Sequence, residues 1–194
     1  MNFIRAYFDE VANCLSKFNN KHFNKAIAEF KNLRKRNGRL FIIGIGGSAA
    51  NSSHAANDFR KLCMINAIAP VDNISEITAR TNDEGFDNIF IDSLLVSKIS
   101  GKDLLLIFSV GGGNLKKKVS INIIKAIKFV KKKKVKVISI VGRKDGYAYK
   151  NSNICFFTDI QNKKFVTPIC ESIQSVIWHL FVSHPSLKIK NTTW

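Results

Sequence analysis

Leu40-Phe41-Ile42-Ile43-Gly44-Ile45-Gly46-Gly47-Ser48 is the stretch from which the fold is read. Four consecutive apolar residues cannot alternate between core and solvent, so the run is expected to be a strand covered on both faces, as parallel sheets require. Three glycines then allow a tight turn, and residues 49–62 follow with helical length and spacing. The strand, glycine turn and helix together open a β-α unit. Leu104–Phe108, Val135–Val141 and Ile154–Phe157 are further continuous apolar runs, and Ala67-Ile68-Ala69 is a weaker one. Helical stretches at 87–98, 119–132 and 169–183 separate them, which predicts a three-layer α/β domain with a mostly parallel sheet. Ahead of the first strand, Phe3, Phe8, Val11, Leu15 and Phe18 form one stripe, and Phe23, Ile27, Phe30 and Leu33 recur at helical spacing. These predict an N-terminal helical extension over residues 1–36, ended by Gly38. No linker and no repeat interrupts the chain, and only three prolines punctuate it. One domain is expected over 1–194, with an α/β core at 37–185 and a tail at 186–194.

The chain has 194 residues, 45% of them hydrophobic and 23% charged, within the range of an ordinary globular core. Its 31 lysines and arginines against 14 acidic residues give a net charge of +17, a field that favours anionic partners without choosing among them. Cys14, Cys63, Cys155 and Cys170 show no Cys-x-x-Cys pair, so disulfide scaffolds and zinc fingers are excluded and reduced thiols are expected. No apolar run reaches the roughly 18 residues of a membrane span, and the first residues lack the apolar stretch of a signal peptide. A cytoplasmic protein without a membrane partner is the expectation.

In an open parallel sheet, ligands bind beyond the carboxyl ends of the strands, so the loops after the apolar runs carry the chemistry. Gly44–Ser48 follows a strand and opens a helix; Ser48 is positioned to cap that helix and to offer its hydroxyl to an oxyanion. The loop lacks the last glycine and the ribose-binding acid of a dinucleotide fingerprint, and also the Gly-Lys-Ser/Thr of a P-loop, so no nucleotide cofactor is expected. In the helix beyond it, His54 and Asp58 are four residues apart and share a face at about 6 Å, close enough to share a metal or a proton. Asn51 lies on the His54 side, whereas Arg60 and Lys61 read as a solvated basic face. Ser109-Val110-Gly111-Gly112-Gly113-Asn114 offers backbone N–H groups suited to a phosphate or a sugar hydroxyl. Thr81–Phe86 has the composition of a turn. In the last helix, Glu171 and His179 stand eight apart, roughly 12 Å along the axis and about 80° around it, so they border one pocket at different heights.

These residues, in this order, resemble the SIS (sugar isomerase) domain and, within it, the phosphoheptose isomerase group. The family's glycine-serine loop corresponds to Gly44–Ser48, its His and acid to His54 and Asp58, its Asn-Asp-x-Gly-Phe segment to Asn82–Phe86, its phosphate loop to Ser109–Asn114, and its last helix to Glu171 and His179. The resemblance implies about five parallel strands in a flavodoxin-like arrangement and homo-oligomers, tetramers or dimers, built partly through the N-terminal helices. It also implies conversion of sedoheptulose 7-phosphate to D-glycero-D-manno-heptose 7-phosphate for cell-surface glycans, through an enediol. Asp58 and His179 take the catalytic positions. Gly46, Gly47, Ser48, Asn51, Asn82, Asp83, Ser109, Gly111, Gly112, Asn114 and Glu171 take the substrate-binding positions. Zinc, present in some relatives, would be held by His54, Asp58, Glu171 and His179. Ile45, Asp58, Gly111 and Glu171 depart from the residues usual in the group and point to a divergent subgroup acting on a related phosphorylated sugar. A non-catalytic SIS module, a sugar-phosphate sensor or an assembly protein for replication initiators, is the alternative. Nucleic acid ranks below both, because Lys131–Lys134 lacks interleaved aromatics and no DNA-reading motif is visible.

Overall fold

The computed structural model describes residues 2–191. Residues 192–194 of the expected tail lie outside them. Five strands, β1 (Arg39–Ile43), β2 (Asn66–Ile68), β3 (Leu104–Ser109), β4 (Lys136–Val141) and β5 (Ile154–Phe157), form one sheet in the order β2-β1-β3-β4-β5. Every pairing is parallel, with Leu40 beside Leu104 and Leu104 beside Lys136 in register. Alternate residues of the apolar runs enter opposite layers. Leu40, Ile42, Leu104, Leu106, Ile138 and Ile140 face one core, while Phe41, Ile43, Leu105, Ile107, Val137 and Val141 face the other. Burial on both faces is the physical reason that the runs are continuous rather than alternating.

The first layer holds α1 (Phe3–Ser16), α2 (Asn20–Lys35), α3 (Gly47–Cys63) and α8 (Val166–Ser183), which bury Phe30, Phe59, Trp178 and Phe181. The second holds α5 (Ile89–Val96), α6 (Ile121–Lys132) and α7 (Tyr147–Asn151), which bury Phe90, Ile127 and Ala148. Asn2 and Asn19 cap α1 and α2 through their side chains. Asn37, at φ 52°, supplies the left-handed residue after α2, and the Gly38 N–H closes the helix end on the Leu33 carbonyl. Gly38 is required for a different reason: a Cβ there would lie 2.0 Å from the Lys102 carbonyl oxygen.

Two helices depart from the sequence expectation. α4 (Ile74–Asp83) occupies ground that includes the expected turn at Thr81–Phe86; it fully buries no residue, and its local support is the Asn73 side-chain cap on the Glu76 N–H and the pairing of Arg80 with Glu76 and Glu84. α7 is a single short turn whose Tyr147 and Ala148 N–H groups donate to the Gly113 and Gly112 carbonyls. Beneath the sheet's amino edge, the buried Asp103 carboxylate receives Arg39 Nε at 3.1 Å and Nη2 at 2.9 Å, with the Arg39 and Ser100 backbone N–H groups. Burial raises its pKa, but the Arg39 guanidinium and the two backbone donors outweigh that and hold it below the ordinary carboxylate value.

Candidate active site

β1 lies between β2 and β3, so the chain reverses strand order there and leaves a crevice at the carboxyl ends of β1 and β3. The glycine loop after β1 borders this crevice and starts α3. Gly46, not Ser48, occupies the cap position, with φ 63° and ψ −130° that only glycine adopts without strain. Ser48 therefore lies inside the first turn, buried, and its carbonyl accepts the Ser52 hydroxyl at 2.9 Å.

α3 and α8 pack side by side and run in the same direction, so their contacts climb in step. At the lower level the Glu171 carboxylate lies so close to Gly47 that a Cβ there would meet Oε2 at 2.5 Å. One turn on, Asn51 Nδ2 donates to the Glu171 carbonyl at 2.9 Å and to Gln174 Oε1 at 3.1 Å, while Asn51 Oδ1 accepts from Ser175 Oγ at 2.7 Å. At the next level His54 Nε2 stands 3.8 Å from Asp58 Oδ2, and the His54 and His179 rings lie 5.5 Å apart, nearly perpendicular. Still higher, Cys63 Sγ meets the Val182 carbonyl at 3.8 Å.

His54, Asp58 and His179 thus converge, with one ligand atom from each within 4.8 Å of the others. Asp58 is buried between the helices, whereas both imidazoles are exposed toward a cavity of about 520 Å³ that Asn57, Lys61, Val182, Ser183 and Lys188 also line. His179 Nδ1 lies 2.8 Å from the Ser175 carbonyl. A carbonyl only accepts, so Nδ1 carries the proton and Nε2 presents its lone pair. Trp178 stacks on His179 at 3.5 Å between ring centroids and meets His54 edge-on at 4.7 Å, fixing both rings. Asp58 Oδ1 receives Asn57 Nδ2 at 2.9 Å, leaving Oδ2 toward His54. Two imidazoles and one carboxylate with a side open to the cavity form a donor set that suits zinc in a catalytic geometry. Glu171, the fourth expected ligand, lies at the glycine loop, two turns from His54, and the close ligand group among the described residues comprises His54, Asp58 and His179.

The other expected residues sit elsewhere. Asn82 and Asp83 are exposed at the end of α4, hydrogen-bonded to each other at 2.8 Å, and Phe86 beyond them accepts Asn122 Nδ2 at the start of α6. The loop after β3 is largely self-satisfied: the Gly112 N–H donates to Ser109 Oγ at 3.0 Å, and Asn114 pairs with Val119 and accepts the Lys117 N–H. Arg60 is exposed, as expected, and also ties α3 to β2 through Asn66 Oδ1 and the Ala67 carbonyl. The four cysteines are free, as expected, and burial pushes the thiols of Cys14 and Cys63 up to about 11 and that of Cys170 to about 12. Among the described residues no helix is long and apolar enough to cross a membrane.

Residues escaping the sequence reading lie in the tail. The Ile189 and Lys190 N–H groups donate to the Leu62 carbonyl, Arg34 Nη1 binds the Leu187 and Cys63 carbonyls, and Leu187 is fully buried. This latch folds residues 184–190 against the end of α3 and brings Lys188 to the cavity wall. The buried Leu187 is its one sequence signal, and a single apolar residue after a helix is too common to be read alone.

Comparisons with known proteins agree with this architecture. The chain is 28% identical over 186 residues to the phosphoheptose isomerase of Rhodospirillum rubrum, covering 91% of this chain and 92% of that protein. The solved phosphoheptose isomerase of Neisseria gonorrhoeae shares the fold with a TM-score of 0.78 at 23% identity, over 92% of this chain and 94% of its own. That of Francisella tularensis gives 0.79 at 21% identity, over 94% and 97%. Residues 6–142 match the SIS domain, and the chain belongs to that family.

Proposed function

We propose that this protein is an aldose–ketose isomerase of a phosphorylated sugar, with sedoheptulose 7-phosphate as the first substrate to test. The observation that carries this reading is the convergence of His54, Asp58 and His179 on one open cavity. Isomerisation moves a proton between C1 and C2 through an enediol, so it needs one group to take a proton from carbon and another to serve the carbonyl oxygen. Asp58 Oδ2, which faces His54, and His179 Nε2 are the two atoms assigned to proton exchange, since the other oxygen and nitrogen are held by Asn57 and Ser175. The tight lateral packing of Trp178 keeps His179 facing the cavity instead of turning away. Zinc held by His54, Asp58 and His179 would occupy these same two atoms, so when bound it would supply polarisation of the carbonyl in place of their proton exchange. Gly46, Gly47, Ser48, Asn51 and Glu171 form the polar end of the same α3–α8 seam, and Ser109, Gly111, Gly112, Asn114, Asn82 and Asp83 are assigned to further substrate contacts.

The exposed apolar side chains of α1, Phe3, Ile4 and Phe8, are 62–69% accessible and suit a contact between copies of the chain, so a homo-oligomer is part of this reading. The test is incubation with sedoheptulose 7-phosphate and a panel of ketose and aldose phosphates in heavy water, following product and deuterium incorporation at C1 and C2 by NMR. Turnover that vanishes in both Asp58→Asn and His179→Gln supports the reading. Thermal stabilisation by these sugars with no turnover on the panel favours the non-catalytic alternative.

A further inference from the structure

We propose that the outer face of α6, with α7 and the hairpin after β3 beside it, binds single-stranded nucleic acid through its phosphate backbone. Residues 104–158 hold 13 of the 31 lysines and arginines against one of the 14 acidic residues, Asp145, a net +12 of the chain's +17. Among the described residues, Lys136 is the one member of this set within ion-pair distance of a carboxylate, that of Glu29. Elsewhere the pairing is closer: Arg5, Lys17, Arg39 and Arg80 each meet an acid. Like charges left unpaired in one half of the molecule repel one another, and a polyanion laid across them relieves that repulsion.

The charges are arranged along a surface. α6 buries Ile123, Ile124, Ile127 and Val130, which turns Lys125, Lys128 and Lys132, three and four residues apart, into one line on its other side. Beside them Lys131 Nζ lies 3.4 Å from Asn151 Oδ1, and Lys125 Nζ lies 2.8 Å from Asn88 Oδ1, so both partners are neutral. At the start of the helix, reciprocal backbone bonds between Asn114 and Val119 close a hairpin that displays Lys116, Lys117 and Lys118. Along the chain Lys131–Lys134 has no interleaved aromatic, but folding supplies them. Lys128 Nζ lies 5.8 Å from the centre of the Tyr147 ring, Lys133 Nζ 5.9 Å from that of Phe129 and Lys144 Nζ 4.9 Å from that of Phe157, and all three rings are half-buried. Cations beside ring faces are the combination that holds a single strand, whose bases are free to stack; a duplex turns its bases inward, away from such rings. A second copy is repelled, because the rest of the chain is itself net positive. A bilayer is disfavoured as well, since every fully exposed residue of α6 is a lysine and none is an apolar side chain that lipid could take up. None of these lysines lines the His54–Asp58–His179 cavity, so the face is separate from the candidate active site.

The test is fluorescence anisotropy of a labelled oligothymidine of about 20 nucleotides with the full-length protein, at salt from about 50 to 200 mM. Saturable binding is expected, with log K falling against log salt at a slope of about −3 to −4, as for about five phosphate contacts on a single strand. Replacing Lys128, Lys131 and Lys132 together by glutamine should weaken binding about tenfold or more and make the slope shallower by about 2. These side chains are exposed and glutamine favours helix, so circular dichroism of that variant should match wild type. The control replaces Lys21, Lys25 and Lys35 of α2, in the other layer, by glutamine; it removes the same charge and should stay within about twofold of wild type. Tyr147→Leu should weaken binding about fivefold or more with the slope unchanged. No saturable binding, equal weakening by the two triple variants, or wild-type affinity in both the α6 triple variant and Tyr147→Leu overturns the proposal. Binding to vesicles of phosphatidylserine and phosphatidylcholine without binding to the oligonucleotide assigns the face to lipid and overturns it too.

Discussion

Replacing Asn51 by leucine tests how far the Asn51 carboxamide holds the seam between α3 and α8. Asn51 makes three hydrogen bonds across the seam, to the Glu171 carbonyl, to Gln174 Oε1 and from Ser175 Oγ. The losses are unequal. Glu171 lies in the interior of α8 and its carbonyl keeps its helical acceptor role, and the Ser175 hydroxyl can turn back onto its own helix. Gln174 is fully buried, so its Oε1 is left without a donor. An orphaned buried acceptor costs about 1–3 kcal/mol, and the net loss of the other bonds adds on the order of 1 kcal/mol, giving about 2–4 kcal/mol in all. For a chain of this size that corresponds to a fall in Tm on the order of 5–15 °C. Urea unfolding at fixed protein concentration, with the slope m unchanged, measures it directly. Ser175→Ala should cost about 1 kcal/mol or less on the same reasoning. An Asn51→Leu protein within about 0.5 kcal/mol of wild type, the range of ordinary surface changes, would show that apolar packing alone holds the seam.

Asp58→Asn and His179→Gln should each lower turnover by about 10²–10⁴-fold while the circular dichroism spectrum stays native, and retention of wild-type rates in both would remove their assigned roles. Gly46→Ala should cost about 1–3 kcal/mol, because φ 63° with ψ −130° is glycine territory although space for a methyl exists; a neutral outcome in urea unfolding contradicts that backbone geometry. The folded Asp103 pKa is depressed, so its contribution to stability is present above about pH 4, the unfolded value, and is lost as pH falls through the lower folded one. Urea midpoints should therefore drop on acidification more steeply for wild type than for Asp103→Asn, and parallel curves would refute this. With their pKa values raised by burial to about 11, 11 and 12, Cys14, Cys63 and Cys170 should resist iodoacetamide at neutral pH until the protein unfolds. Rapid native labelling of Cys63 would contradict the sealed end of the α3–α8 seam.

The sheet was legible because burial on both faces writes itself as unbroken apolar runs, and Leu40–Ile43 and Leu104–Phe108 needed no tertiary information to be recognised. α4 was hidden for a different reason: it is short and fully buries none of its residues, so Ile74–Asp83 shows only its asparagine cap, a half-buried Ile77 and the Glu76–Arg80–Glu84 charge spacing. Ser48 has the propensity of a cap, but the close turn after β1 needs φ 63° at the cap position, which Gly46 alone in that turn adopts without strain.

For the candidate site, spacing alone put His54 and Asp58 on one helix face, since the helix repeat dictates it. Neither the meeting of that pair with His179 nor the separation of Glu171 from it follows from spacing, because both depend on how far α8 slides along α3. Packing around Trp178 and the Asn51 bridge set that slide. The amino-acid order therefore determined strands, glycine loop and family likeness through local periodicity and turn chemistry. Only the tertiary structure decided which side chains share a cavity, and it alone brought Lys188 to the cavity wall, because Arg34 and the Leu62 carbonyl, far away in the chain, hold the tail in place.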